Sequence, residues 1–204
     1  MATIGKRNTL AIIRSSDIGL YLDGGELGEI LLPNRYVPRN VAPKDRLDVF
    51  IYLDSEDRLI ATTEVPYAEV GDFACLKVVS VNQRIGAFLD WGLSRDLLLP
   101  FREQARPVRK GDSVVVYVLL DEKSQRIIAT TRFNRYLNRQ PPNYRPGQPV
   151  NLMILGKSPL GYSALVEGAY GGLLYHDAIS GPLVIGDKMI GYIRTVRPDG
   201  KIDL

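Results

Sequence analysis

Apolar residues in this chain come in short runs, broken every few positions by Gly, Pro, Asp or Asn. The segments "ACLKVVSV" (74–81), "GAFLDW" (86–91), "DLLLP" (96–100), "SVVVYVLL" (113–120) and "RIIATT" (126–131) are rich in β-branched and aromatic residues, the composition of strands. In "DEKSQRIIATT" (121–131) a polar turn joins two such runs, and "RPDGK" (197–201) carries the stronger Asp-Gly hairpin signal. Five strands in about 65 residues, with the Gly111-Asp112 turn before the fourth, predict a small closed or partly closed β-barrel.

The pattern recurs. Shifted by 67 or 68 positions, "DIGLYLDGGELGEILLP" (17–33) lies over "RIGAFLDWGLSRDLLLP" (84–100), and "PKDRLDVFIYLD" (43–54) over "RKGDSVVVYVLLD" (109–121). One inserted residue before Arg126 then aligns two Ile-Ala-Thr-Thr segments, at 60–63 and 128–131. A match this long is an internal duplication, and each Ile-Ala-Thr-Thr is expected to be the last strand of a five-stranded barrel. A fainter third copy follows at an offset of 75, with Gly161 over Gly86, Asp187 over Asp112, Tyr192 over Tyr117 and Ile202 over Ile127. The expected fold is all-β: three tandem five-stranded OB-fold barrels joined by short linkers. Their expected bounds are 1–67, 68–138, and 139–204 for a linker plus the third barrel. Closure removes the strand edges on which identical tandem units would mispair.

Composition narrows the setting. The single cysteine, Cys75, can form neither an internal disulfide nor a cysteine metal cage. The N-terminal stretch lacks a signal-peptide apolar core, and no apolar run approaches the roughly 18 residues of a membrane span. A cytoplasmic location is expected. Residues 1–69 hold 8 Lys/Arg and 11 Asp/Glu, residues 70–136 hold 11 and 7, and residues 137–204 hold 7 and 5. The first unit should therefore repel a polyanion and the later two attract one.

"FACLKVVSVNQRIGAFLDWG", "DLLLPFRE" and "VRKGDSVVVYVLLDEKSQRIIATTR" together resemble the ribosomal protein S-one type RNA-binding domain, an OB-fold. Three divergent copies in this order, with "GYSALVEGAYGGLLYH" in the third, resemble the conserved virulence factor B family of bacterial RNA-binding regulators. That resemblance covers essentially the whole chain and implies post-transcriptional or translational regulation. It also implies a C-terminal winged-helix domain, before which this chain is expected to stop. Departures from the pattern are visible. The position before the strand-two glycine, often aromatic, is Ile18, Ile85 and Leu160, and the usual histidine position is Pro33, Pro100 and Tyr175.

The candidate contacts follow from charge and aromaticity. From Lys123 to Val166 there is no Asp or Glu, while Arg126, Arg132, Arg135, Arg139, Arg145 and Lys157 are interleaved with Tyr136, Tyr144 and Tyr162. Cations that track phosphates beside rings that accept bases are the chemistry of single-stranded nucleic-acid binding, with stacking worth about 1–3 kcal/mol per base. "RQPPNYRPGQP" (139–149) also reads as a solvated linker. Phe88 faces out if Ala87 and Leu89 face in. Trp91, ending that strand before a glycine, reads as an exposed contact residue. Arg84, Phe101 and Arg102 in the second unit, and Tyr170, Tyr175, His176 and Arg194 in the third, complete the candidate RNA-binding set.

Catalysis finds no support in the motifs. There is no metal-ligand spacing, phosphate loop or nucleophile elbow, and Glu56-Asp57 and Asp121-Glu122 fall in polar turns. The expectation is a non-enzyme without cofactor or metal, its partner single-stranded RNA, with ribosome or RNA polymerase components as further partners. The alternative is a protein-interaction scaffold docking on the transcription or translation machinery through its acidic first barrel. Neither involves a membrane or a small-molecule substrate.

Overall fold

A computed structural model of the chain describes residues 1–42 and 44–204; Pro43, the first residue of the repeated segment 43–54, lies outside the described residues. The first unit comprises β1 (Arg7–Ser16), β2 (Gly19–Asp23), β3 (Glu29–Pro33), β4 (Arg46–Leu53) and β5 (Leu59–Thr62). The second comprises β6 (Phe73–Asn82), β7 (Gly86–Asp90), β8 (Leu97–Pro100), β9 (Ser113–Leu120) and β10 (Ile127–Thr130). Each closes into a barrel with neighbours in the order first, second, third, fifth, fourth. The Ile-Ala-Thr-Thr segments fill their expected place: they form the fifth strands, parallel to the third, with Ile60 opposite Leu31 and Ile128 opposite Leu98.

Two local devices repeat. A bulge interrupts the register of the long first strand between Ile12 and Arg14 and again between Val78 and Ser80, bending it so that it pairs with the second strand at one end and the fourth at the other. Where the second strand begins, a Cβ on Gly86 would lie 2.3 Å from the Leu99 carbonyl oxygen, and one on Gly19 would lie 2.1 Å from that of Leu32. Only glycine lets the backbones approach this closely.

The third unit departs from the expected closed barrel. Its strands are β11 (Pro149–Ser158), β12 (Gly161–Val166), β13 (Tyr170–Tyr175), β14 (Lys188–Tyr192), β15 (Thr195–Val196) and β16 (Ile202–Asp203). They form an open six-stranded sheet in the order β14-β11-β12-β13-β16-β15. The fourth strand, continuous as β4 and β9 in the barrels, is here divided into β14 and β15. Tyr192 pairs with Pro149 at the end of the β14 ladder. Ile193 follows in the core, 2% exposed, as Val118 does on β9. There it accepts from the Gly147 amide at 2.7 Å and donates to the Gln148 carbonyl at 3.0 Å.

Inward residues of each unit build its core: Leu22, Ile30, Val49 and Ile51 in the first, Leu76, Ala87, Leu89 and Val116 in the second, Ile154, Ala164 and Val166 in the third. Two strands are buried on both faces, which explains their unbroken apolar runs. On β4, Phe50 and Tyr52 point away from their own barrel and pack with Trp91 and Leu93 of the next. On β9, Val115 points outward into a cluster with Met153 and Leu165 of the third unit, flanked by Phe73, Cys75 and Phe133. Barrel two is therefore gripped from both sides.

Candidate nucleic-acid interface

The alternation on β7 resolves as Ala87 and Leu89 inside and Phe88 outside, half-exposed. Phe88 lies opposite Leu98 of β8. Ile85, in the loop before β7, and Phe101, just past β8, flank this face and are 47% and 45% exposed; the Phe101 amide donates to the Ile85 carbonyl at 3.3 Å. Arg84 is exposed in the same loop. From the β9–β10 turn, Arg126 reaches across to barrel one and pairs with Asp57 at 2.6 Å. Beneath these groups lies a groove of about 260 Å³ lined by Phe88, Ile85, Leu98 and Arg126 from barrel two and by Tyr52 and Leu53 from barrel one. Arg102 pairs with Asp121 at 2.8 Å. The Ser124 hydroxyl hydrogen bond, followed by the charge of Arg102, holds the Asp121 carboxyl below the usual carboxylate range. The structure thus brings Phe88 and Arg126 to one groove, with Phe101 bonded to Ile85 of its lining; Arg84 lies in the Ile85 loop and Arg102 pairs with the β9–β10 turn at Asp121.

Two expected contact residues are corrected. Trp91 is 3% exposed: its ring meets Phe50 edge-on at 5.6 Å and its indole N–H donates to the Arg95 carbonyl. It sits at the seam between barrels, so the strand end that looks free in one unit is covered by the other. Tyr162 is 5% exposed, within the core of the third unit, and its hydroxyl accepts from the Leu183 amide at 3.2 Å. The register of the third copy, which sets Tyr162 over the inward Ala87, was the available signal: β12 buries positions 162, 164 and 166 on its inner face.

The basic run of residues 132–145 is docked onto the fold. Tyr136 stacks on Tyr117 at 4.1 Å, and the Arg135 guanidinium lies over the Tyr136 ring while pairing with Glu103 at 3.0 Å. Arg132, Arg139 and Arg145 are exposed. The segment between units is strapped to the third one: Asn138 donates to the Ala169 carbonyl at 2.7 Å and to the Tyr170 hydroxyl at 3.1 Å, and Tyr144 meets Tyr170 edge-on. It is not a free linker.

On the third unit, Tyr175 ends β13 half-exposed. Its hydroxyl donates to the Asp203 carboxylate at 3.2 Å and accepts from Arg197 at 3.1 Å, while the Arg194 guanidinium lies 5.3 Å over the ring. Arg194 also contacts Asp177 at 3.4 Å. His176 and Lys157 are exposed nearby in sequence on β13's end and β11. Arg197 was not expected in the site, and neither was Tyr21, which pairs with Arg14 on β2 as Phe88 pairs with Ser80 on β7. Arg14 lies 3.6 Å over the Tyr21 ring. The repeat register, which sets Tyr21 over Phe88, was the available signal.

Comparison with known proteins decides the family. The S1 domain family model matches residues 4–64 and 70–132. The chain belongs to the S1 domain family. Both matched stretches coincide with the closed barrels, so the duplicated segments are two S1 domains. "Uncharacterized protein YitL" of Bacillus subtilis (strain 168) is 36% identical over 115 residues, covering 54% of this chain and 38% of that protein. The chain thus spans well under half the length of that relative. A crystal structure of a multidomain protein with nucleic acid binding domains from Streptococcus pneumoniae superposes with a TM-score of 0.54 at 18% identity, covering 98% of this chain and 72% of that one. At that identity the likeness concerns the fold, and it extends through the third unit. Among the described residues no helix is long and apolar enough to cross a membrane.

Proposed function

We propose that this chain binds single-stranded RNA through its second S1 domain, with the third unit extending the contact. The observation that carries this reading is the β7–β8 face: an outward Phe88 beside Leu98, in a groove that Arg95 and Arg126 also line. An aromatic platform beside guanidinium groups suits unpaired bases joined by phosphates. Tyr175 under Arg194 supplies a second ring-and-cation pair on the third unit. The acidic first domain contributes little phosphate attraction. The family membership and the nucleic-acid-binding description of the structural relative support the reading. We also propose, from the resemblance to the virulence factor B regulators, that such binding serves bacterial post-transcriptional or translational control.

Fluorescence anisotropy of a labelled single-stranded oligoribonucleotide tests it. The logarithm of the affinity should fall linearly with the logarithm of salt, with a slope of about −0.7 per phosphate neutralised. Phe88→Ala should weaken binding by about 1–3 kcal/mol. No binding at low salt refutes the reading. A protein-docking role is favoured by a different observation, the outward Ile190 and Tyr192 of β14, which are 65% and 63% exposed. Retained pull-down of a protein partner by the Phe88→Ala variant would support it.

A further inference from the structure

The groove at the seam between the two S1 domains has features that a single barrel lacks. Its far wall, Tyr52 and Leu53, belongs to β4 of the first domain. Its lining from the second domain includes the apolar Phe88, Leu98 and Trp91. Two guanidinium groups, Arg95 and Arg126, and one carboxylate, Asp96, also line it. Its volume is about 260 Å³, room for a nucleobase.

These groups divide the work of holding a nucleotide. A base needs two apolar surfaces for its faces, and the groove offers Phe88 from the second domain and Tyr52 and Leu53 from the first. Its edge needs a polar partner, and Asp96 is a carboxylate that accepts only. An exocyclic amino group, present on cytosine, adenine and guanine and absent from uracil, donates to such an acceptor, whereas uracil's edge donor, N3–H, lies between two carbonyl oxygens that repel a carboxylate. The neighbouring phosphate needs a cation, and Arg126 stands at the rim held by Asp57. That ion pair is solvent-exposed, with side chains 41% and 60% accessible, hence screened and easily exchanged for a phosphate. Burial, followed by the charge of Asp90, pushes the Asp96 carboxyl above its usual range, consistent with a partly desolvated acceptor.

We propose that the seam is a composite pocket for one unstacked RNA base bearing an exocyclic amino group, with barrel one supplying the wall and Arg126 taking the adjacent phosphate. This rests on the reading that the β7–β8 face binds RNA, and it gives the acidic first domain a role in that binding. It also makes the relative placement of the two domains part of the specificity.

The chain's one tryptophan lines the groove, so its emission reports occupancy. Short oligocytidine and oligouridine are titrated into the full chain, following anisotropy and Trp91 fluorescence together. Emission should change in step with oligocytidine binding, and oligocytidine should bind more tightly than oligouridine. Leu53→Ala should weaken oligocytidine by roughly tenfold, and Asp96→Ala should abolish the ratio between the two oligomers whatever it does to overall affinity. RNA binding with unchanged Trp91 emission, or a ratio insensitive to both substitutions, overturns the composite pocket and leaves the RNA-binding reading standing. Absence of any binding at low salt overturns both.

Discussion

Trp91 offers the sharpest test of how the two barrels are joined. In place of a contact residue for RNA, the structure makes it the wedge of the domain seam: 3% exposed, edge-on to Phe50 of barrel one at 5.6 Å, its indole N–H bonded to the Arg95 carbonyl. Its own carbonyl accepts from the Tyr67 amide, in the segment joining the barrels, at 2.8 Å. Truncating a buried tryptophan to alanine removes its transfer free energy and leaves a cavity, a loss of about 3–5 kcal/mol. Trp91→Phe keeps a ring for Phe50 but leaves the Arg95 carbonyl without its donor, a loss of about 1–3 kcal/mol. Urea unfolding followed by far-ultraviolet circular dichroism measures both without relying on the tryptophan signal. The alanine variant should show a lower midpoint, and the transition should separate into steps as barrel one uncouples from barrel two. A loss below about 1 kcal/mol for Trp91→Ala would refute the wedge and return the ring to the surface.

Two further outcomes follow from local geometry. Gly86→Ala sets a Cβ 2.3 Å from the Leu99 carbonyl oxygen at a backbone φ of +140°; it should destabilise the second domain by about 1–3 kcal/mol or more, read as a lowered Tm, and an unchanged Tm would contradict the close approach. The hydrogen bonds from Arg197, reinforced by its charge, hold the Asp203 carboxyl below its usual range. A depressed carboxylate stabilises above its unfolded value and loses that stabilisation as pH falls through the folded one, so the third unit should weaken in acid below about pH 4 and Asp203→Asn should flatten that dependence in pH-resolved melting curves.

Much of the fold was legible from residue order because strand alternation, turn residues and the repeat all pointed to one architecture. Alternation set Phe88 on the opposite face from Ala87 and Leu89 without deciding which face is core; the structure buries Ala87 and Leu89 and turns Phe88 outward. What escaped were contacts between units. "VFIY" on β4 and "VVVYV" on β9 show no alternation because both of their faces are buried, one by the home barrel and one by the neighbour. No local pattern separates such a strand from an ordinary core strand. The same blindness put Trp91 on the surface. Tyr162 misled for another reason: a tyrosine in a basic stretch reads as a platform, yet its ring lies in the third core with its hydroxyl satisfied by Leu183.

The claim on which the functional account depends is that the β7–β8 face of the second S1 domain is where RNA lies. Photocrosslinking of a short oligoribonucleotide containing 4-thiouridine and cytidine, with the attached peptides mapped by mass spectrometry, tests that placement directly. The account predicts adducts concentrated in segments 84–101 and 121–128, with weaker labelling around Tyr175, and their loss in Phe88→Ala. Adducts confined to barrel one's outer surface or to residues 132–145, or none at low salt, would contradict it.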